Sequence, residues 1–209
     1  MTETHTTWMR GPAGALEVDI DVPAQCTRGI AFLLHPLTTG GGSKAHKVVT
    51  VMSRAFNEAG FLSVRPNLRG AGKSEGAFDE GIGETEDFLQ VIEQSFLIPG
   101  VSEELPLGGQ VVFGGFSFGT YVAALASEIR NPAALVFAGM AAGKFPVPHP
   151  RAPVFMAHGE NDEIIPLPEA LGWALEQDTS VTVIPGADHF FSRRLQLLKK
   201  AFSQFINFI

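Results

Sequence analysis

The segment 111–129 places a serine where a short strand turns sharply into a helix. A β-branched and aromatic run leads into the pentapeptide Gly-Phe-Ser-Phe-Gly at residues 115–119, and an alanine-rich stretch follows. Glycine has no Cβ, so Gly115 and Gly119 let the strand and the helix approach each other closely on both sides of Ser117. This context predicts that the Ser117 hydroxyl is held out at the tip of the strand, where it can act as a nucleophile.

Two other glycine-rich patterns have part of the spacing of a phosphate-binding loop. In the pattern that ends at Gly119, Thr120 stands where such a loop requires a lysine. In the pattern that ends at residues 72–74, Asn67 stands in place of the first glycine, and the residues that follow do not open a helix. The sequence therefore argues against nucleotide binding.

A serine hydroxyl needs a base within hydrogen-bond reach, and the chain has six histidines. His189 follows the last predicted strand in a loop that can reach across the sheet edge. His35 and His158 also end strands, but beside Pro36 and Gly159 they are expected to shape loops. A zinc site built from these three histidines is the alternative, and no short metal-ligand spacing supports it. We therefore predict that His189 is the base and that the protein holds no metal.

The remaining histidines have less favourable positions for this role. His5 lies in a terminus that we expect to fray, His46 on a predicted helix and His149 between two prolines.

A third side chain, a carboxylate, must orient the base. Asp162 lies in the exit loop of the penultimate predicted strand, four residues after His158. Glu160 and Asp188 are the rivals. Asp188 adjoins His189 in sequence, so its side chain is expected to point away from the imidazole. Asp162 is the preferred carboxylate.

A developing oxyanion is stabilised by two backbone N–H groups that point at one position. The N–H of Phe118, at the start of the helix after Ser117, supplies the first. The second is expected from the loop after the strand Gly29–Leu34. Proline at position 36 has no N–H, so Leu37 is the best candidate and Thr38 the alternative.

The predicted elements alternate between strands and helices, which implies a mostly parallel sheet with helices on both faces. The predicted strands cover residues 8–10, 15–22, 29–34, 61–64, 111–116, 133–138, 153–157 and 181–184, and the main helices cover 43–59, 83–96, 118–129, 168–175 and 193–209. Ligands of such sheets bind beyond the carboxyl ends of the strands. His35, Ser117, Asp162 and His189 each follow a strand end, so the fold should gather them on one edge.

Three boundary features complete this prediction. Ser43 is expected to cap the helix that runs to Ala59. Residues 99–109 are expected to form a connecting loop. Residues 139–152, which contain several prolines, are too few and too irregular for a multi-helix cap over the site.

Length and composition bound the function further. The 209 residues are expected to form one domain over 1–209, with 45% hydrophobic residues. A net charge of −7 argues against nucleic acid or an anionic membrane as a partner. The N-terminal residues show no secretory signal, and a single cysteine, Cys26, suits a reducing compartment, so we expect a cytoplasmic protein.

Taken together, these motifs resemble the α/β-hydrolase family, over nearly the whole chain. The similar stretches are residues 115–119, 158–162 and 186–190, in the family's chain order Ser, Asp, His. Residues 35–37 resemble the family's oxyanion loop. Residues 67–74 resemble its Asp-x-Arg-Gly-x-Gly-x-Ser loop, with Asn67 in place of the usual aspartate. The most similar group is the small lidless bacterial serine hydrolases, which resemble esterases.

The resemblance implies a serine hydrolase that uses no cofactor, and we expect a carboxylesterase for small, largely uncharged esters. Phe116, Phe190 and Phe191 are the candidates for an apolar substrate pocket, and membership of the core is the alternative for each. A thioesterase and a non-catalytic binding protein with the same fold are the competing functions. The sequence leaves the oligomeric state open.

Overall fold

A computed structural model describes residues 2–98 and 101–209. Within them the strands are β1 (Glu3–Gly11), β2 (Gly14–Val22), β3 (Gly29–Leu34), β4 (Phe61–Pro66), β5 (Gln110–Phe116), β6 (Ala134–Ala138), β7 (Val154–Gly159) and β8 (Val181–Ile184). The helices there are α1 (Lys47–Glu58), α2 (Ile82–Ser95), α3 (Val101–Glu104), α4 (Phe118–Ile129), α5 (Leu167–Glu176) and α6 (Leu195–Ile206).

All eight strands described belong to one sheet, in the order β1-β2-β4-β3-β5-β6-β7-β8. The β1–β2 hairpin and the β2–β4 pair are antiparallel, and every pair from β4 to β8 is parallel. The predicted mostly parallel sheet is confirmed. Its central strand β5 lies between β3 and β6, so the serine that follows β5 is at the middle of the sheet edge.

Helices cover both faces of the sheet because its central strands are apolar on both sides. In β3, Ile30, Phe32 and Leu34 pack into one core, while Ala31 and Leu33 pack into the other. Helices α2, α4 and α5 supply the first core, and α1 and α6 supply the second. A run with no alternation of polar residues is what a strand buried on both faces requires.

The parallel register aligns the carboxyl ends of the strands that carry the chemistry. Leu34 of β3 is paired with Gly115 of β5, and Phe116 with Ala138 of β6. Ala138 is in turn paired with Ala157 of β7. The loops after these strands therefore leave the sheet side by side.

Three local predictions were wrong. His5 lies within β1 and is paired with Ile20, not in a frayed terminus. Ser43 does not cap α1: its carbonyl accepts the His46 N–H in a turn, and the His46 ring caps the helix. The predicted loop at 99–109 contains the short helix α3, while residues 99 and 100 lie outside the described residues.

The segment 139–152 joins β6 to β7 and contains no helix or strand. No cap domain therefore arises from it, as predicted. Among the described residues, no helix is both long and apolar enough to cross a membrane.

Candidate active site

Ser117 lies at a strained turn between β5 and α4. Its backbone has φ 52° and ψ −122°, a conformation that is costly for a residue with a side chain. A Cβ on Gly115 would lie 2.3 Å from the backbone of Gly119, and a Cβ on Gly119 would lie 2.5 Å from the Leu34 carbonyl oxygen. The Ser117 N–H donates to the carbonyl of Ala138 at 3.0 Å. Two glycines and one sheet hydrogen bond thus hold the turn in place.

The structure brings Ser117, His189 and Asp162 into one chain of hydrogen bonds. Ser117 Oγ lies 3.0 Å from His189 Nε2, and His189 Nδ1 lies 2.7 Å from Asp162 Oδ2. Because the carboxylate only accepts, Nδ1 carries the ring proton and Nε2 is left to accept from the serine hydroxyl. His189 and Asp162 are buried, whereas Ser117 is partly exposed.

Asp162 is held in place by backbone N–H groups of the residues that follow it. Its Oδ1 accepts from the N–H groups of Ile164 at 3.0 Å and Ile165 at 2.8 Å. Burial raises the pKa of Asp162, but the hydrogen bonds from His189 and from the Ile165 N–H outweigh it and hold that pKa below its usual value. The carboxylate therefore stays charged in its buried position.

The two rival carboxylates brace backbone turns instead. Glu160 accepts from the Gly186 N–H at 2.7 Å, and Asp188 accepts from the Ser192 N–H at 2.8 Å.

His158 is a second imidazole beside Asp162, which the sequence analysis described only as loop-shaping. Its Nε2 lies 2.9 Å from the carbonyl of Ile165, so this nitrogen carries the proton and donates. The same nitrogen lies 3.3 Å from Asp162 Oδ2. Burial lowers the pKa of His158, and its Nδ1 is buried without a partner among the described residues. A neutral ring thus supports the carboxylate and its loop from behind.

Leu37 and Phe118, the predicted oxyanion donors, both line the cleft that contains Ser117. Within the described residues, neither backbone N–H donates to an acceptor in the protein. The Leu37 carbonyl accepts from Gly40 and Gly42, which folds the loop into a tight turn. Thr38, the alternative donor, is not part of the lining.

His35 anchors the loop that carries Leu37. Its Nδ1 lies 2.6 Å from the Pro36 carbonyl, and its Nε2 accepts from the Leu68 N–H at 3.0 Å. Burial lowers the pKa of His35 to about 4, because a charged ring would lose its hydration. The ring is therefore a neutral brace between two loops of the edge.

The loop 67–76, which contacts His35 through the Leu68 N–H, is itself held in place by side-chain hydrogen bonds. Asn67 Oδ1 accepts from the Lys44 N–H at 2.7 Å, and its Nδ2 donates to Glu17 at 2.8 Å. An aspartate could not donate to Glu17, so the departure from the family pattern at this position has a local partner. Arg69 donates three hydrogen bonds to the buried Asp87, two from its guanidinium and one from its backbone N–H, which ties the loop to α2.

Ser117 opens into a cleft of about 420 Å³. Its walls are mostly apolar, and they are formed by Pro36, Leu37, Phe118, Ala141, Phe145, Ile164, Ile165 and Phe190, with glycines 40–42. His46, Lys144 and His189 complete the lining with Ser117.

Of the three predicted pocket aromatics, only Phe190 lines the cleft. The prediction for Phe116 and Phe191 was wrong: both are fully buried and belong to the core on the α1 and α6 side of the sheet. Phe191 has φ 53°, a turn that sends the ring inward while Phe190 stays 48% exposed.

The core position of Phe116 still matters to the site. Its ring centroid lies 4.9 Å from that of His46 and 5.0 Å from that of His189. One buried phenyl ring therefore supports two imidazoles of the cleft.

Two further residues of the site escaped the sequence analysis. Thr120 donates to the Ser117 carbonyl at 2.7 Å and accepts from the Ala141 N–H at 3.0 Å. A Cβ on Gly139 would lie 3.3 Å from His189 Cε1. A small residue directly after β6 was the only sequence signal for Gly139, and Thr120 gave none.

The zinc site weighed as an alternative use of the three histidines does not fit these contacts. His35 and His158 use their ring nitrogens on backbone groups, and the free nitrogen of His158 is buried away from the cleft. No group of three His, Cys, Asp or Glu side chains in the described part of the chain is arranged to hold a metal ion.

Comparison with known proteins places this geometry in a family. A lidless α/β serine hydrolase from Xanthomonas campestris is 32% identical, with a TM-score of 0.89 over 99% of this chain and 95% of that one. An α/β serine hydrolase homologue from Coxiella burnetii is 29% identical, with a TM-score of 0.88 over 98% of both chains. An uncharacterized protein of Rickettsia prowazekii is 26% identical over 95% of this chain and 87% of that protein.

No family model matches the sequence. The similarity to the Xanthomonas structure nevertheless extends over almost the full length of both chains. The strand order agrees with it, and so does the segment 139–152, which forms no cap. The protein is a hydrolase by this relationship. The chain belongs to the α/β-hydrolase superfamily.

Proposed function

We propose that this protein is a carboxylesterase that hydrolyses small esters, with Ser117 as nucleophile, His189 as general base and Asp162 as the orienting carboxylate. The observation that carries the proposal is the unbroken chain of hydrogen bonds from Ser117 Oγ through the His189 ring to Asp162. The hydroxyl end of this chain opens into the cleft.

In the first half-reaction, Ser117 Oγ attacks the ester carbonyl carbon as its proton passes to His189 Nε2. The N–H groups of Leu37 and Phe118 stabilise the oxyanion of the tetrahedral intermediate. When the C–O bond breaks, His189 returns the proton to the leaving alcohol oxygen. Asp162 holds the ring in the required tautomer and stabilises its transient positive charge.

In the second half-reaction, water attacks the acyl-enzyme while His189 takes one of its protons. The acid leaves, and the proton returns to Ser117 Oγ, so the cycle consumes one water and needs no cofactor. The apolar walls formed by Leu37, Phe145 and Ile165 support a substrate with an apolar portion next to the ester.

A fluorophosphonate probe tests the nucleophile directly. We expect stoichiometric labelling of Ser117, located by mass spectrometry of the labelled peptide. Ser117→Ala should abolish labelling and lower kcat on p-nitrophenyl acetate by about 10⁴-fold or more, with an unchanged circular dichroism spectrum.

Ser192→Ala is the matched control, since Ser192 is an exposed serine three residues after His189. It should label and turn over as the wild type does. If the wild type took up no probe, or if Ser117→Ala kept more than a tenth of the turnover, the proposal would fail. A non-catalytic binding protein with this fold would then be the better description.

A further inference from the structure

The polar side chains that line the cleft include no carboxylate and no amide among the described residues. Apart from Ser117 and His189, the only polar side chains that the described residues contribute to the lining are His46 and Lys144. No aspartate, glutamate, asparagine or glutamine from residues 2–98 or 101–209 lines the cleft, although the chain has 22 acidic residues against 15 basic ones. An acidic protein thus presents a cleft whose one permanently charged side chain is a cation.

His46 is a neutral hydrogen-bond donor in this cleft. Its Nδ1 accepts from the Val48 N–H at 3.3 Å as the cap of α1, so the ring proton lies on Nε2. Burial lowers the pKa of His46, and the nearby His189 and Lys47 lower it further. No hydrogen bond within the described residues uses Nε2, and stacking on Phe116 limits the movement of the ring.

Lys144 lies in the irregular segment between β6 and β7, next to Phe145. None of the ion pairs among residues 2–98 and 101–209 includes it. By contrast, Lys44 is buried and paired with Asp19. Lysine carries three donors and no acceptor, so Lys144 adds a cation and further donors to the lining.

Apart from Ser117 and His189, the polar side chains of this lining offer donors and no acceptor that is free, and they favour a ligand group that offers acceptors and no donors. A carboxylate is such a group, and it also complements the charge of Lys144. We propose that the cleft selects esters that carry a carboxylate elsewhere in the molecule, with Lys144 as the cation that attracts it and His46 as a neutral donor. This substrate class rests on the proposed esterase function, and it replaces the largely uncharged ester expected from the sequence.

Two matched ester pairs test the proposal on either side of the scissile bond. For the acyl side, the pair is methyl hydrogen adipate and methyl heptanoate. For the alcohol side, it is the acetate ester of 6-hydroxyhexanoate and heptyl acetate. Acid release in a pH-stat at neutral pH gives kcat/KM for each ester, and the readout is the ratio of the anionic to the alkyl ester.

Lys144→Met keeps the length of the side chain and removes the charge. It should lower the ratio by about three- to tenfold in at least one pair. Added KCl should lower the ratio for the wild type and have little effect on it for Lys144→Met, because salt screens an exposed charge. His46→Asn keeps a capping acceptor for the Val48 N–H but removes the Nε2 donor, and it should lower the same ratio by about threefold.

Lys47→Met is the matched control, since Lys47 is an exposed lysine beside His46 that does not line the cleft. It should leave both ratios unchanged. If Lys144→Met leaves both ratios unchanged, the proposal is wrong, whatever the result for His46→Asn. Failure of the esterase function itself would look different: the wild type would then hydrolyse none of the four esters.

Discussion

His35 and His189 each follow a strand of the same sheet, but the ring of His35 bonds to backbone groups and the ring of His189 bonds to side chains. Both nitrogens of His35 contact backbone groups, the Pro36 carbonyl and the Leu68 N–H. The nitrogens of His189 contact a carboxylate and a hydroxyl, and the hydroxyl faces the cleft.

The difference fits the role proposed for His189 and a structural role for His35. Backbone groups have fixed donor and acceptor roles, so protonation of His35 would break a hydrogen bond and bury a charge. The partners of His189 allow its ring to take up a proton. Ser117 can give up its hydroxyl proton, and the Asp162 carboxylate can balance the positive charge on the ring. The position after a strand is shared, and the partners decide the role.

Among changes to the partners of the two histidines, the largest expected effect comes from replacing the carboxylate that contacts His189. Asp162→Asn should lower kcat by about 10³- to 10⁴-fold, because the amide no longer holds the ring in the tautomer that accepts from Ser117. The protein should stay folded, as judged by circular dichroism.

Asp188→Asn is the control, since within the described part of the chain the Asp188 carboxylate accepts from one backbone N–H of the same loop and from no side chain. It should keep kcat within about tenfold. Equal losses in the two variants would mean that Asp162 is not the orienting group.

The next effect tests the brace at His35. The pKa of His35 lies at about 4 in the folded protein and near the usual 6.5 in the unfolded chain. Between these values the unfolded chain binds the proton first, so stability falls as the pH falls. We expect a loss of about 3 kcal/mol in the free energy of unfolding from pH 7 to pH 4 through this residue.

Urea unfolding of the wild type and of His35→Asn across this pH range measures the effect. The variant is expected to be less stable at pH 7 but to show a shallower dependence on pH. Parallel curves for the two proteins would show that His35 does not resist protonation.

His158 combines the two kinds of partner and should show a smaller effect. Its Nε2–H contacts a backbone carbonyl and lies close to Asp162. Without this N–H, the carboxylate should attract the proton of the His189 ring more strongly, so His158→Phe should move the acidic limb of the kcat/KM profile about half a unit to higher pH.

His158→Gln keeps an N–H at a similar distance and should restore the position of the limb. If both variants left the limb in place and changed only thermal stability, His158 would be a structural residue like His35.

The smallest expected effect concerns how exposed to solvent the cleft is beside His189. The rim residues Ile164 and Phe190 are 44% and 48% exposed, and no cap arises from residues 139–152. An added acyl methylene should therefore gain less than the ~0.8 kcal/mol of full burial, which is less than about fourfold in kcat/KM.

Rates on p-nitrophenyl esters from acetate to palmitate, with and without emulsified lipid, measure this. We expect a preference for short chains and no activation by lipid. An optimum at twelve carbons or longer, or a jump in rate above the solubility limit, would mean that another segment covers the cleft.

Much of the candidate site could be predicted from the sequence, because it lies where the parallel strands end and the strands are recognisable. The apolar runs before His35 and Ser117 are strands buried on both faces, and parallel pairing puts their ends together. Gly115 and Gly119 were informative because the close approach of strand and helix excludes any side chain there.

The features of the site that could not be predicted from the sequence depend on the backbone conformation of the loops. Phe190 and Phe191 are adjacent and identical in chemistry, and one positive φ sends them to the cleft and to the core. His46 looked like an ordinary helix residue because capping by an imidazole has no simple sequence pattern. Its place in the cleft follows from the turn that Ser43 and His46 form before α1.

The phenyl ring of Phe116 has a consequence for how such a protein can evolve or be redesigned. It contacts the imidazoles of both His46 and His189, so a change in its size would move the proposed selectivity residue and the proposed base together. Paired substitutions at Phe116 and His46 should be strongly non-additive. New specificity is therefore easier to reach from the rim, at Lys144 or Ile164, where neither contact is disturbed.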